Sequence, residues 1–228
     1  LGDILFQPTD GPKFDPKEYR EAYLHRDEVA TPGYYSVRYR RTRIRTELTA
    51  SDYTGIQRYE FSNPNEAWVI IDLEHRDQLL SFSLDLENFK PGSNIEDQGI
   101  YRIRGHRQSK AWANNQWVFF VTEFSQPILK FQYNENKTKL ALCFRKSVIP
   151  NIDNSDGRFP QIPEKKFLDI RSNSAFTLEV RTTISFTSLE GAEKNEQFTL
   201  NQLNEKLMQF RGPKGMGDDM SPFQFVKV

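Results

Sequence analysis

Hydrophobic and polar positions alternate in short runs through the first 186 residues. Tyr35 to Tyr39, Ile44 to Leu48, Ile56 to Phe61 and Ile100 to Arg104 each repeat with a period of two, the mark of a strand with one buried face. Leu80 to Leu86 sets Leu80, Phe82, Leu84 and Leu86 on one face and Ser81, Ser83 and Asp85 on the other. Ala67-Trp68-Val69-Ile70-Ile71-Asp72-Leu73 is apolar on both faces, which predicts a central strand. Ile4 to Phe6, Trp117 to Phe124, Lys139 to Phe144 and Phe176 to Phe186 complete the set. Pro64-Asn65, Pro91-Gly92 and Asn134 to Lys137 read as turns. Short strands at this spacing predict an all-β fold of antiparallel sheets packed face to face.

A helical period is scarce until the end. Asp15 to Glu28 lacks a sustained apolar stripe, although Pro16 suits a first helical turn. Leu200, Leu203, Leu207 and Phe210 recur at helical spacing before Gly212-Pro213, which predicts a carboxy-terminal helix over about 199–210. Residues 147–174 hold Pro150, Gly157, Pro160 and Pro163 without a period and read as a long surface loop or insertion. The chain thus divides into a sandwich over 1–196 and a helix with a tail over 197–228.

Composition narrows the function classes. The 228 residues are long enough to bury about 70% of the unfolded surface. Lys and Arg number 31 and Asp and Glu 31, so no net field draws nucleic acid or an anionic membrane. No apolar run nears the roughly 20 residues of a membrane-spanning helix. The single cysteine, Cys143, excludes an internal disulfide and a thiolate-rich zinc site, and its apolar run Leu140 to Phe144 makes it a buried thiol. The chain opens on Leu1 without Met or a signal-like stretch and reads as a processed or excised piece.

Few residues carry candidate chemistry. His25 and Glu28 stand at i and i+3 ahead of the rigid turn Thr31-Pro32-Gly33. Such a pair offers a sugar hydroxyl a donor and an acceptor held in place, or else straps its loop to the body. Trp112, among small polar residues, is the better candidate for a ring on which a pyranose face packs, with plain packing as the alternative; Trp117 opens an apolar strand and reads as core. Asp27, Glu47, Asp72, Asp85, Glu123 and Glu190 cannot be paired by spacing into an acid and a base. Neither a DxDxDG calcium loop nor an HExxH zinc motif occurs. His75 and His106 are isolated. Arg38, Arg40, Arg41, Arg43 and Arg45 form a basic hairpin that reads as a solvated face. Asn136-Lys137-Thr138 fits the glycosylation pattern, which matters only in a eukaryotic secretory setting.

Several stretches together resemble the amino-terminal domain of glycoside hydrolase family 92, the calcium-dependent α-1,2-mannosidases. They are Gly2 to Phe6 with Pro8-Thr9, His25-Arg26-Asp27-Glu28-Val29-Ala30-Thr31-Pro32-Gly33-Tyr34-Tyr35-Ser36-Val37, Glu47-Leu48-Thr49-Ala50, Ala111-Trp112-Ala113 with Val118 to Pro127, and Ile184 to Asn195. The sequence departs from that pattern at Gln57, where the family has His before Arg58-Tyr59, near Tyr53, and at Ala111, where Gly is usual. The resemblance implies a supersandwich of the galactose-mutarotase-like type and an enzyme that hydrolyses α-mannosides with inversion. It places the family's acid, base and calcium mainly in a helical barrel outside this chain. The expectation is therefore a non-catalytic portion with no catalytic residue, no metal ligand and no cofactor of its own, calcium belonging to the complete enzyme. Its partners would be an α-mannoside glycan, met by His25, Glu28 and Trp112, and the barrel; its location would be secreted or periplasmic. The alternative is a stand-alone carbohydrate-binding protein, or a degenerate structural protein without activity.

Overall fold

The computed structural model describes residues 3–62, 67–145 and 176–210. Two antiparallel sheets face each other. The smaller holds β1 (Leu5–Thr9), β6 (Ala67–Asp72), β11 (Lys139–Arg145) and β10 (Lys130–Tyr133), in that order. The larger runs β2 (Glu28–Thr31), β3 (Tyr34–Arg38), β4 (Arg45–Ala50), β5 (Thr54–Phe61), β12 (Phe176–Ser185), β9 (Gln116–Phe124), β8 (Arg102–Lys110), β7 (Gln78–Leu86). The all-β sandwich anticipated from the alternation is the observed architecture. β2 and β10, four residues each, are edge strands too short for a period of two to stand out.

The core lies between the sheets. Tyr59, Val69, Ile71, Ile103, Phe120, Leu140 and Leu178 are sealed from solvent there. The strand β6 is buried on both faces, as its sequence predicts, because Trp68 and Ile70 point away from the main core into a second cluster with Tyr19, Ala141 and Cys143. Tyr19 reaches that cluster from a single-turn helix, α1 (Pro16–Tyr19), which Asp15 caps by accepting from the Lys17 amide. Its hydroxyl donates to Asp72 at 2.7 Å, and Lys139 Nζ lies 3.4 Å from the same carboxylate. Asp72, too, is buried. The rest of Asp15 to Glu28 is not helical: after α1 comes only a 3-10 turn over His25–Asp27. Without an apolar stripe a longer helix there would have nothing to bury.

The carboxy-terminal helix differs from its expected limits. After a single-turn helix α2 (Ile95–Gln98) between β7 and β8, the terminal helix α3 (Leu189–Phe210) follows β12 and starts eleven residues before the Leu200 to Phe210 stripe. Its first half is seated on polar groups, which an apolar stripe cannot reveal. The turn at Pro64-Asn65, the stretch 147–174 and the tail 211–228 fall outside the described residues.

The pairing registers place the loops at two ends of the large sheet. One end carries the Pro32-Gly33 turn, the 51–53 turn, the β12–α3 junction and the β8–β9 tip at 111–115. The other carries the His25–Asp27 turn and the β3–β4 hairpin.

Candidate functional site

The first candidate corner sits at the edge strand β2. Glu28 opens that strand opposite Val37, so its carboxylate leans toward β3. Tyr35 donates to Glu28 Oε1 at 2.7 Å, and His25 Nδ1 lies 3.1 Å from Oε2. These partners, Tyr35 first and His25 second, hold the Glu28 carboxyl below its ordinary range. The same contact, with desolvation as its larger cause, pushes the Tyr35 hydroxyl well above its usual value. Tyr23 meets the His25 ring edge-on. The His25 side chain remains 97% exposed. The predicted pair therefore forms, and it both presents an open imidazole and straps β2 to β3. Gly33 takes φ +76° in the turn beyond, where a side chain would be strained, and its carbonyl accepts from Thr49 at 2.7 Å.

The outward face of the large sheet is different. Strand alternation turns Glu47, Arg58, Glu179, Arg181, Glu123 and Arg102 to that side, and the registers set them opposite one another with alternating sign. Glu47 accepts from Tyr34 and Arg45, and Arg181 donates to Glu123. The helix α3 lies over β12 and β9 and adds its own carboxylate to this surface. Arg102 Nη2 donates to Glu196 at 2.8 Å and Arg102 Nε lies 3.3 Å from Glu87. Thr54 bridges Thr183 at 2.8 Å and Thr199 at 3.0 Å, and Asn195 donates to the Ile184 carbonyl. A Cβ on Gly191 would stand 2.5 Å from Ser185 Oγ, so only glycine admits the first turn this close. Burial pushes the Glu196 carboxyl up, against the lowering effect of Arg102 and Arg181. Burial likewise raises Glu179.

Farther along the same face the charges give way to rings. Trp117 and Phe119 stack in parallel, 7° apart with centroids at 5.6 Å, and His106 tilts against both at 5.3 and 5.9 Å. Ser83 Oγ lies 3.0 Å from His106 Nδ1 and Ser81 Oγ 3.4 Å from Nε2. Desolvation lowers the His106 pKa, which keeps the ring neutral at ordinary pH. Trp117 and Phe119, with Phe186 and Thr187 from the β12–α3 junction, line an open hollow of about 190 Å³. Trp117 is thus not core. Phe120, Phe124 and Val118 fill the inward side of β9, while Val121 is buried on the outward side. That strand reads as apolar throughout because it has cover on both faces.

Trp112 stands fully exposed at the β8–β9 tip, at the hollow's end of the sheet. His25 and Glu28 belong to the other end and to the far edge. Counting strands from β2 to β8 gives six spacings, on the order of 29 Å across the sheet. The three predicted contacts therefore do not form one site. The hollow went unnoticed in the sequence, although Trp117 and Phe119 at i and i+2, across from His106, are legible as one face once β9 is paired. Asp72 and Glu123 are engaged in the ties already described. Within the basic hairpin Arg41 meets Asp10 and Glu21 and Arg45 meets Glu47, so much of its charge is answered locally. Among the described residues no three His, Cys, Asp or Glu side chains converge to hold a metal ion, and none of their helices is long and apolar enough to cross a membrane.

Comparison with known proteins supplies what geometry does not. The profile of the glycosyl hydrolase family 92 N-terminal domain matches residues 1–188. Among solved structures, the chain is similar to the family GH92 α-mannosidase BT3965 from Bacteroides thetaiotaomicron bound to mannoimidazole, with 21% identity, TM-score 0.64, and coverage of 87% of this chain and 25% of that one. It is similar to the family GH92 inverting mannosidase BT2199 from Bacteroides thetaiotaomicron VPI-5482, with 19% identity, TM-score 0.56, and coverage of 85% and 23%. The family glycosyl hydrolase ccman5 gives 19% identity, TM-score 0.64, and coverage of 92% and 27%. The chain spans about a quarter of the length of these proteins. No curated protein sequence matches it.

Proposed function

Since this chain belongs to the glycosyl hydrolase family 92 N-terminal domain family, we propose that it is the non-catalytic sandwich of an inverting α-mannosidase and lends loop residues to a glycan cleft that a helical catalytic domain completes. The observation that carries this reading is the family match over residues 1–188, with the same fold in mannosidases across most of this chain. In the complete enzyme a carboxylic acid protonates the leaving oxygen while a carboxylate activates water. We assign both groups, and the calcium expected in such an enzyme, to the other domain. An extracytoplasmic location, secreted or periplasmic, goes with this reading.

What this chain's own residues do is bind. Trp112 offers an exposed indole on which the axial C–H groups of a mannose pack. At the diagonal corner, His25 offers a ring nitrogen and Glu28 an acceptor already oriented by Tyr35. One mannose unit cannot touch both corners, so we place His25 and Glu28 at contacts made only once the second domain closes the cleft. The test is mannose release from α-1,2-mannobiose by the 228-residue chain, with and without added calcium. No release is expected in either condition; release above the uncatalysed rate overturns the reading.

A further inference from the structure

We infer that the hollow between Trp117, Phe119, Phe186 and Thr187 is a second sugar subsite, taking the ring of a neutral pyranoside, distinct from the Trp112 tip. This inference rests on the glycan-binding reading above and names a site that reading does not use.

Three features select a sugar ring over other occupants. The floor is aromatic: Trp117 and Phe119 lie parallel on the outward face of β9, backed by His106. Phe186, 57% exposed, lines the hollow from the β12–α3 junction. Rings brought together from two elements suit the C–H faces of a pyranose. The polar groups nearest its rings are neutral, and beyond His106 the face carries the charges of Arg104 and Asp85. The Thr187 side chain lines the hollow, and Ser81 and Ser83 flank His106, whose desolvated ring stays uncharged. Sugar hydroxyls pair with such groups without an ion to desolvate. Farther along the same strands and the neighbouring β12, that face carries Arg102, Glu123 and Arg181, with Glu196 from α3, so the hollow is a break in a charged surface. Its size is the third feature. About 190 Å³ falls short of the roughly 300 Å³ at which pockets for larger ligands begin. One ring fits, with the rest of a glycan leading out toward Trp112 at the same end of the sheet.

The chain's three tryptophans make the test selective. Trp68 is buried against the small sheet, Trp112 is exposed at the tip, and Trp117 floors the hollow. In the full chain carrying Trp112→Phe, titration with methyl α-D-mannopyranoside is expected to shift tryptophan emission saturably, through Trp117. Adding Phe186→Ser should weaken that response at least tenfold. Phe186 is surface-exposed, and an unchanged unfolding midpoint verifies that the fold survives. Absence of a saturable response in the Trp112→Phe chain overturns the inference. So does a response that Phe186→Ser leaves unchanged, which would put the sugar elsewhere. If Phe186→Ser instead converts a self-associated species to monomer on size exclusion while the sugar has no effect, the patch is a protein contact and the inference fails. None of these outcomes alters the mannose-release result, so the two readings fail separately.

Discussion

The two faces of the eight-stranded sheet are held by different physics. Inward, where the buried polar groups Thr122, Thr182 and Arg107 are hydrogen-bonded, Tyr59, Ile103, Phe120, Phe124 and Leu178 pack on the small sheet. That burial is non-directional and tolerant of detail but large in sum. Outward, the same strands show Glu47, Arg58, Arg181, Glu123 and Arg102, the polar seat of α3, and the aromatic hollow. Each of those contacts is directional, and its worth depends on whether its partner stays in place. The inward face makes the fold, and the outward face carries the directional contacts.

The comparison breaks most visibly at Phe120. It is fully buried at the centre of β9, between Gly105 and Ile184 in register. Phe120→Ala should cost about 3–5 kcal/mol, lowering the thermal midpoint by on the order of 10 °C. Calorimetry reads it directly, and a loss no larger than that of an exposed position would contradict the assignment of the core.

A finer test uses two carboxylates with opposite shifts. Glu196 is raised by burial between α3 and the sheet, so its folded pKa exceeds the unfolded one, and the stability tied to its protonated form is present at low pH and lost as pH rises through the raised value. Glu28 is lowered by Tyr35 and His25, so its contribution is present above the ordinary carboxylate range and lost as pH falls through the lowered value. Denaturant midpoints between acid and neutral pH should show Glu196→Gln removing the first loss and Glu28→Gln removing the second, smaller one. Parallel pH profiles for both variants would contradict the opposite shifts of the two carboxylates.

Much of this was legible in the sequence. A period of two locates most of the strands, and the doubly apolar run Ala67 to Leu73 marks the centre of the small sheet. His25 and Glu28 meet as their i, i+3 spacing suggests, because a 3-10 turn brings such positions to one side. The unreadable parts depend on pairing. No local pattern tells that β12 inserts between β5 and β9, and without that register Trp117 and Phe119 look like core. α3 escaped because Glu196 and Thr199, not leucines, seat its first half. The separation of His25 from Trp112 depends on strand order, which alternation does not encode.

Amide chemical shifts recorded on the full chain during titration with α-1,2-mannobiose test the account most directly. The account predicts shifts gathered at Trp112 to Phe119 and at Phe186 to Ser188, with Ala67 to Asp72 unmoved. Shifts gathered instead at His25 to Tyr35, or no shifts at all, would contradict it.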